Sequence, residues 1–273
     1  MNERYTLSDL LTLMARLRKP KTGCSWDLKQ NFRSITPSTI EEVYEVVDAI
    51  EREDFAQLRE ELGDLLFQIV FYSQLAAEDG RFDFADIIDG LTAKLLRRHP
   101  HVFPDGTLHS ERTLESALET QQVAVQWEQL KRREREMKGQ HSVLDDVPLA
   151  LPSLPRAQKL QKRVSRVGMD WADLASATDK IDEELAELRE AIAADDREAF
   201  QEELGDLFFS CVNVARLSKL DAESVLRAAN AKFEQRIRSV EAALARDGRD
   251  WMDCGEKELD DYWRAAKSSP TNE

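Results

Sequence analysis

The phrase EELGDLLF, Glu60 to Phe67, returns as EELGDLFF from Glu202 to Phe209. An eight-residue phrase repeated with one change, 142 residues downstream, constrains this chain more than any single motif does. It marks a tandem duplication, so whatever one copy folds into, the other must fold into as well. The likeness runs beyond the phrase. TGCSWD at Thr22 is matched by VGMDW at Val167, and STIEEVYEVVDAI at Ser38 by DKIDEELAELREAI at Asp179. LTAKLLRRHP at Leu91 is matched by ANAKFEQRIR at Ala229, after a four-residue deletion in the second copy. At 273 residues the chain can hold two domains of ordinary size. The expected division is a first domain over 1–138, a linker region over 139–166 and a second domain over 167–273.

Most of the chain repeats its apolar residues at a period near 3.6, and alternating runs are nearly absent, so the expected fold class is all-α. In the first copy helices are expected over 39–50, 58–77 and 85–98. A loop is expected over 23–37, ending in a proline that can open the next helix. Asp54 is placed to cap the second of these helices, with Gln57 three residues on, as in a capping box. Pro100 and Pro104 stop the third. A long polar helix is expected over 114–138, closed by Gly139, with KRRERE as a solvated face. DDVPLALPSLPRAQ, with three prolines, is expected to be the linker.

Composition removes several function classes. The net charge of -15 opposes binding to nucleic acid or to an anionic membrane. No apolar run approaches a membrane span, and the amphipathic start of the chain does not resemble a signal peptide. Three widely spaced cysteines without a CxxC pair suit a reducing compartment, and a cytoplasmic location is expected. The ten glycines form neither GxG nor GK[ST], so phosphates would have to be held by metal and Lys/Arg rather than by a glycine cradle.

The acids repeat with the helices. Copy one has Glu41, Glu42 and Glu45, then Glu61 and Asp64; copy two has Glu183, Glu184 and Glu187, then Glu203 and Asp206. Residues three apart share a helix face, and a short turn sets two such helices antiparallel, so the pairs can face one another. Two carboxylates about 5 Å apart repel by roughly 3 kcal/mol at an effective dielectric near 20. Four facing inward would take up protons or a cation. The donors are all oxygen, which suits Mg²⁺, with Mn²⁺ as a substitute, rather than Zn²⁺. Lys94 and Arg98, and in copy two Lys232 and Arg236, lie i, i+4 on one helix, a spacing that suits a polyphosphate. The di-iron carboxylate design needs Glu-x-x-His, and no histidine here has that neighbour. A non-enzymatic helical interaction module with a solvated acidic face stays open at this point.

EExxE, a short interval, ExxD and then a K-x-x-x-R helix resemble the MazG-type nucleoside triphosphate pyrophosphohydrolases, and the likeness is to their two-domain bacterial members. GCSWD, RRHPHVF and the proline-rich linker extend it over nearly the whole chain. The resemblance implies two helical-bundle domains that dimerise through helix packing. It also implies Mg²⁺-dependent hydrolysis of nucleoside triphosphates, ATP among them, to monophosphate and pyrophosphate, with broad base tolerance. The activity would lie mainly in the second domain. Glu184, Glu187, Glu203 and Asp206 would hold the metal, and Glu183 and Lys180 would be catalytic. Lys180, Glu183, Glu184, Glu202, Lys232, Arg236 and Trp263 would surround the nucleotide, with Trp263 free to stack on a base. Copy one keeps Glu42, Glu45, Glu61 and Asp64 as a second metal site, but it has Ser38 in place of Lys180 and Phe71 in place of Asn213. Its domain is therefore expected to be structural, regulatory or weakly active.

Overall fold

Every regular element among the described residues is helical, as the period near 3.6 requires, and no strand occurs there. The computed structural model describes residues 4–111, 120–137, 139 and 141–268. The helices are α1 (Leu7–Leu17), α2 (Thr36–Glu51), α3 (Phe55–Glu78), α4 (Phe84–Arg98), α5 (Thr120–Met137), α6 (Ser153–Ser165), α7 (Leu174–Ala194), α8 (Arg197–Leu217), α9 (Ala222–Arg246) and α10 (Glu256–Ser268). No described helix is long and apolar enough to cross a membrane. The chain separates into two compact units, Met1–Arg133 and Glu134–Glu273, each holding one copy of the repeat.

In the first unit α2 and α3 form the central antiparallel pair, with α1 and α4 packed on α3. Pro37 lies in the first turn of α2, where the missing N–H costs nothing. The turn into α3 is short because Glu53 takes a left-handed conformation and Asp54 caps the next helix, accepting from the Gln57 N–H at 3.0 Å. Only half of the expected capping box forms: the Gln57 side chain donates instead to Glu61 Oε1 at 3.0 Å. Met14, Ile35, Val70, Phe71 and Leu75 make the core. Beside it Arg18 is buried, donating to both Glu78 oxygens (2.9 Å from Nε, 2.6 Å from Nη2) and to the Asp27 carbonyl.

The second unit repeats the device. α7 ends on Asp195 in the left-handed conformation, and Asp196 caps α8 by accepting from the Glu198 and Ala199 N–H groups. Two residues thus turn the chain back, and α7 and α8 pack along their length. α6 packs on α8 and α9, and α10 on α9 around Val240, Leu244 and Ala266. Each copy has a glycine before its SWD or MDW stretch, for different reasons. At Gly23 a Cβ would fall 2.2 Å from the Leu17 carbonyl oxygen, whereas Gly168 has φ +90°.

The stretch expected as a linker differs from free chain. Within 139–166 the chain forms α6, which belongs to the second unit. Its prolines do not prevent this: Pro152 precedes the helix and Pro155 lies in its first turn, where N–H groups have no intrahelical acceptor. Of the long polar helix expected over 114–138, the described part is α5; its expected start at Leu114 and end at Lys138 lie outside the described residues.

Candidate active site

The two-residue turn between α7 and α8 sets the geometry of the acids. It folds the Glu184 and Glu187 face of α7 onto the Glu203 face of α8, and one carboxylate oxygen of each lies within 4.8 Å of the other two. Copy one reproduces this with Glu42, Glu45 and Glu61 within the same 4.8 Å limit. Asp206 and Asp64 stand outside these trios on exposed surface. They remain near: Asp206 acts on Glu203, and Asp64 on Glu42. In each copy three of the four acids meet, and the fourth is exposed alongside.

Burial separates the members. Glu184 is buried, Glu203 half-buried and Glu187 exposed. Desolvation, then the charges of Glu187 and Glu184, push the Glu203 carboxyl above its ordinary range. Glu187 is raised by desolvation, against the opposing pull of Lys180. In copy one Glu42 is raised by desolvation and then by Asp64, Glu45 and Glu61. A three-oxygen donor set with these strains matches a hard divalent cation, and the same residues would hold it in either copy.

Lys180 is what copy one lacks. Its Nζ donates to Glu183 at 2.7 Å and lies 2.9 Å from Glu184. Those two contacts, Glu183 first, hold its proton more tightly than in an ordinary lysine. One cation thus bridges a buried trio member and an exposed neighbouring carboxylate. Glu202, beside Glu203 on α8, is exposed.

Lys232, Arg236 and Trp263 are placed differently from the trio group. They lie on α9 and α10, and α9 packs mainly on α10 and α6. No described ion pair joins Lys232 or Arg236 to the acids. Trp263 has its ring occupied: Phe233 is 5.6 Å away, centroid to centroid, and the Arg236 guanidinium and Lys267 ammonium lie 5.8 and 5.3 Å from its centroid. It is half-buried beside the α9–α10 core, the setting of an interface aromatic.

Farther along α8 the second unit has a cavity of about 510 Å³, lined by Gln161 and Val164 of α6, by Asp170 and Trp171, and by Asn213 and Arg216 of α8. Arg216 forms a bidentate pair with Asp170, one arm at 3.0 Å, and donates to Asn213 Oδ1 from Nε at 2.9 Å. Burial of Gln161 in this wall was not legible because its segment reads as a linker. The signals that mark the cavity are the repeated tryptophan of VGMDW and the exchange of Phe71 for Asn213.

Comparison with known proteins agrees with the duplication. The family model described as the MazG nucleotide pyrophosphohydrolase domain matches residues 30–103 and, a second time, 173–240. The chain is 49% identical over 262 residues to a protein of Escherichia coli (strain K12) named nucleoside triphosphate pyrophosphohydrolase, covering 94% of this chain and 95% of that protein. It is 41% identical over 259 residues to the nucleoside triphosphate pyrophosphohydrolase/pyrophosphatase MazG of Thermotoga maritima, covering 95% of this chain and 94% of that one. It is 35% identical to the uncharacterized protein YabN of Bacillus subtilis, across 97% of this chain and 52% of YabN.

Proposed function

Because this chain belongs to the MazG nucleotide pyrophosphohydrolase family, we propose that it is a hydrolase that splits nucleoside triphosphates into nucleoside monophosphate and pyrophosphate, mainly in its second domain. The observation that carries this reading is the meeting of Glu184, Glu187 and Glu203 beside Lys180, a residue copy one replaces with Ser38. The same trio, with Asp206 alongside, would hold Mg²⁺, or Mn²⁺ in its place. When bound, that cation neutralises triphosphate oxygens and lowers the pKa of the attacking water.

The residues of the chain do the rest. Lys180 exchanges its contacts with Glu183 and Glu184 for a phosphate oxygen and stabilises charge developing there. Glu183, exposed and released from the lysine, accepts the proton of the attacking water. Water adds across the α–β anhydride, the bridging P–O bond breaks, and pyrophosphate leaves. Lys232 and Arg236 supply further positive charge to the polyphosphate, Glu202 borders the site, and Trp263 holds Arg236 by its ring. Copy one, with its trio but without the lysine, serves as a metal-binding scaffold or regulator.

The chain is also proposed to work as a homodimer in the cytoplasm. Phe208 is 59% exposed and Phe233 58%, and in copy one Ile40, Leu62 and Ile69 are likewise exposed. Apolar side chains on these helices seek a partner helix, and a second copy of the chain offers the same surface. The three free thiols suit a reducing compartment.

A pyrophosphate-release assay on a panel of nucleoside triphosphates with Mg²⁺ tests the function. Wild type is compared with Glu42→Gln/Glu45→Gln and with Glu184→Gln/Glu187→Gln. Loss confined to the last protein is expected. Equal losses in both variants would refute the division of labour, and orthophosphate with diphosphate as products would refute the reaction. Sedimentation velocity gives the oligomeric state, and a monomer at micromolar concentration would remove the dimer.

A further inference from the structure

We infer that Lys180 is a gate on metal binding in copy two: its contacts with Glu183 and Glu184 compete with a divalent cation for the acids, and a triphosphate relieves the competition. Copy one, which lacks the lysine, binds its cation tightly without substrate, and copy two only together with substrate. The inference rests on the metal sites of the hydrolase reading above.

The lysine already plays the part of a cation among the acids. Its Nζ lies 2.7 Å from Glu183 Oε1 and 2.9 Å from Glu184 Oε1, so one positive charge joins two carboxylates. The two partners are unequal, since the Glu183 side chain is 58% exposed and that of Glu184 only 5%. Water can replace the lysine at Glu183. At Glu184 it cannot, and a buried carboxylate that loses its cation is left uncompensated. A divalent cation that ligates Glu184 must therefore displace the ammonium or bind beside it against its charge. In either case the trio binds metal less tightly than its three carboxylates alone would.

Copy one presents the same acids without the competitor. Glu42, Glu45 and Glu61 meet within the same 4.8 Å as Glu184, Glu187 and Glu203. Ser38 stands four residues before Glu42 as Lys180 stands four before Glu184, and both positions lie inside their helices. No ion pair among the described residues joins a cation to Glu42, Glu45 or Glu61. Glu61 instead receives a neutral donor, the Gln57 amide at 3.0 Å, whose own oxygen accepts from Arg52 at 2.7 Å. An amide orients a carboxylate without cancelling its charge. The copy-one acids keep their full attraction for a cation.

A triphosphate opens the gate. Its oxygens offer the ammonium charge-assisted hydrogen bonds as good as those of the carboxylates. Lys180 lies one turn from Glu184 on the same face of α7, so its flexible side chain can pass from carboxylate to phosphate without moving the helix. Glu184 then exchanges an ammonium for a divalent cation and at no stage stands bare. The coupling is reciprocal: the factor by which nucleotide tightens metal is the factor by which metal tightens nucleotide. The working copy is thus loaded by its own substrate, while the copy without the lysine holds its cation between turnovers.

The test is calorimetric titration of the full-length protein with Mn²⁺ in the absence of nucleotide. Wild type is expected to show two unequal sites per chain. The tight one should be missing from Glu42→Gln/Glu45→Gln and the weak one from Glu184→Gln/Glu187→Gln. Lys180→Ser, which copies Ser38, is expected to tighten the weak site by about tenfold to a hundredfold, the range for a group that touches a metal ligand. Ser38→Lys is expected to weaken the tight site by a similar factor. A damaged fold weakens metal binding, so the gain in Lys180→Ser cannot come from damage. At saturation α,β-methylene ATP, whose carbon bridge blocks cleavage, is expected to tighten Mn²⁺ in copy two more in wild type than in Lys180→Ser. Equal sites in wild type, a copy-two site that Lys180→Ser leaves unchanged or weaker, or an equal effect of the analogue on both proteins overturns the gate and leaves the hydrolase reading intact. Mn²⁺ binding in neither copy overturns the gate and the metal sites together. Binding as expected in a protein that hydrolyses no triphosphate overturns the hydrolase reading alone.

Discussion

Burial and the charges of Glu187, Glu184, Glu202 and Asp206 all push the Glu203 carboxyl upward, so at neutral pH this residue works against the fold. A position that destabilises the empty chain is explained by what it holds. Glu203→Gln is expected to raise the melting temperature without divalent cation, and to remove the rise that Mg²⁺ or Mn²⁺ gives wild type. It should lower pyrophosphate release by about a hundredfold or more; scanning calorimetry with and without cation, beside the assay, checks both. Glu78 is the opposite case. Hydrogen bonds from Arg18 hold its carboxyl below the ordinary 4.5. Its folded value lies under its unfolded one, so its stabilisation is complete above about pH 4.5 and is lost as pH falls through the lowered value. Urea titrations from pH 6 to 3 should therefore show wild type losing its advantage over Glu78→Gln in that window. At this scale the sequence was partly legible. The i, i+3 spacing announced that the acids of α7 and α8 face one another, but not which of them come closest, because helical spacing sets direction and not reach.

Each unit is organised by one tight helix–helix turn, and both turns place an acidic residue in the left-handed conformation: Glu53 at φ 55° and Asp195 at φ 52°. Glycine adopts that region without the Cβ clash. Asp195→Gly should therefore stabilise the chain by about 1 kcal/mol, read as a higher urea midpoint at an unchanged slope, with the trio undisturbed. No change, or a loss, would mean the aspartate makes a compensating interaction. Apolar period and cap residues made these elements readable, and Asp54 caps α3 as its spacing suggests. α6 was hidden because three prolines in fourteen residues read as a breaker, although Pro152 and Pro155 sit where a helix tolerates them. With α6 hidden, Gln161 and one wall of the cavity were hidden too. Trp263 was legible as an aromatic near a basic helix, but its occupied ring was not, since that depends on how α10 lies against α9.

Across the whole molecule the two copies share a scaffold and differ in what fills it. The apolar residues behind the acids are needed by both, which is why the repeated phrase persists. Beyond the acids the copies differ: copy two has Lys180 where copy one has Ser38, and Asn213 where copy one has Phe71. The difference makes the two copies respond oppositely to exchange of the same position. In copy one Phe71 is core, packed edge-on against Phe67 with centroids 5.8 Å apart and under the Arg18 guanidinium. Phe71→Asn there removes a large buried side chain and buries an amide among apolar neighbours, at a cost of about 4 kcal/mol. Asn213→Phe in copy two fills existing space and gives up hydrogen bonds to Arg216, a smaller loss of stability. Measured side by side, Phe71→Asn is expected to lower the denaturation midpoint strongly while the surviving folded protein still releases pyrophosphate. Asn213→Phe is expected to keep the midpoint near that of wild type. Similar stability losses from both exchanges would mean that the cavity is as much a structural core as its counterpart.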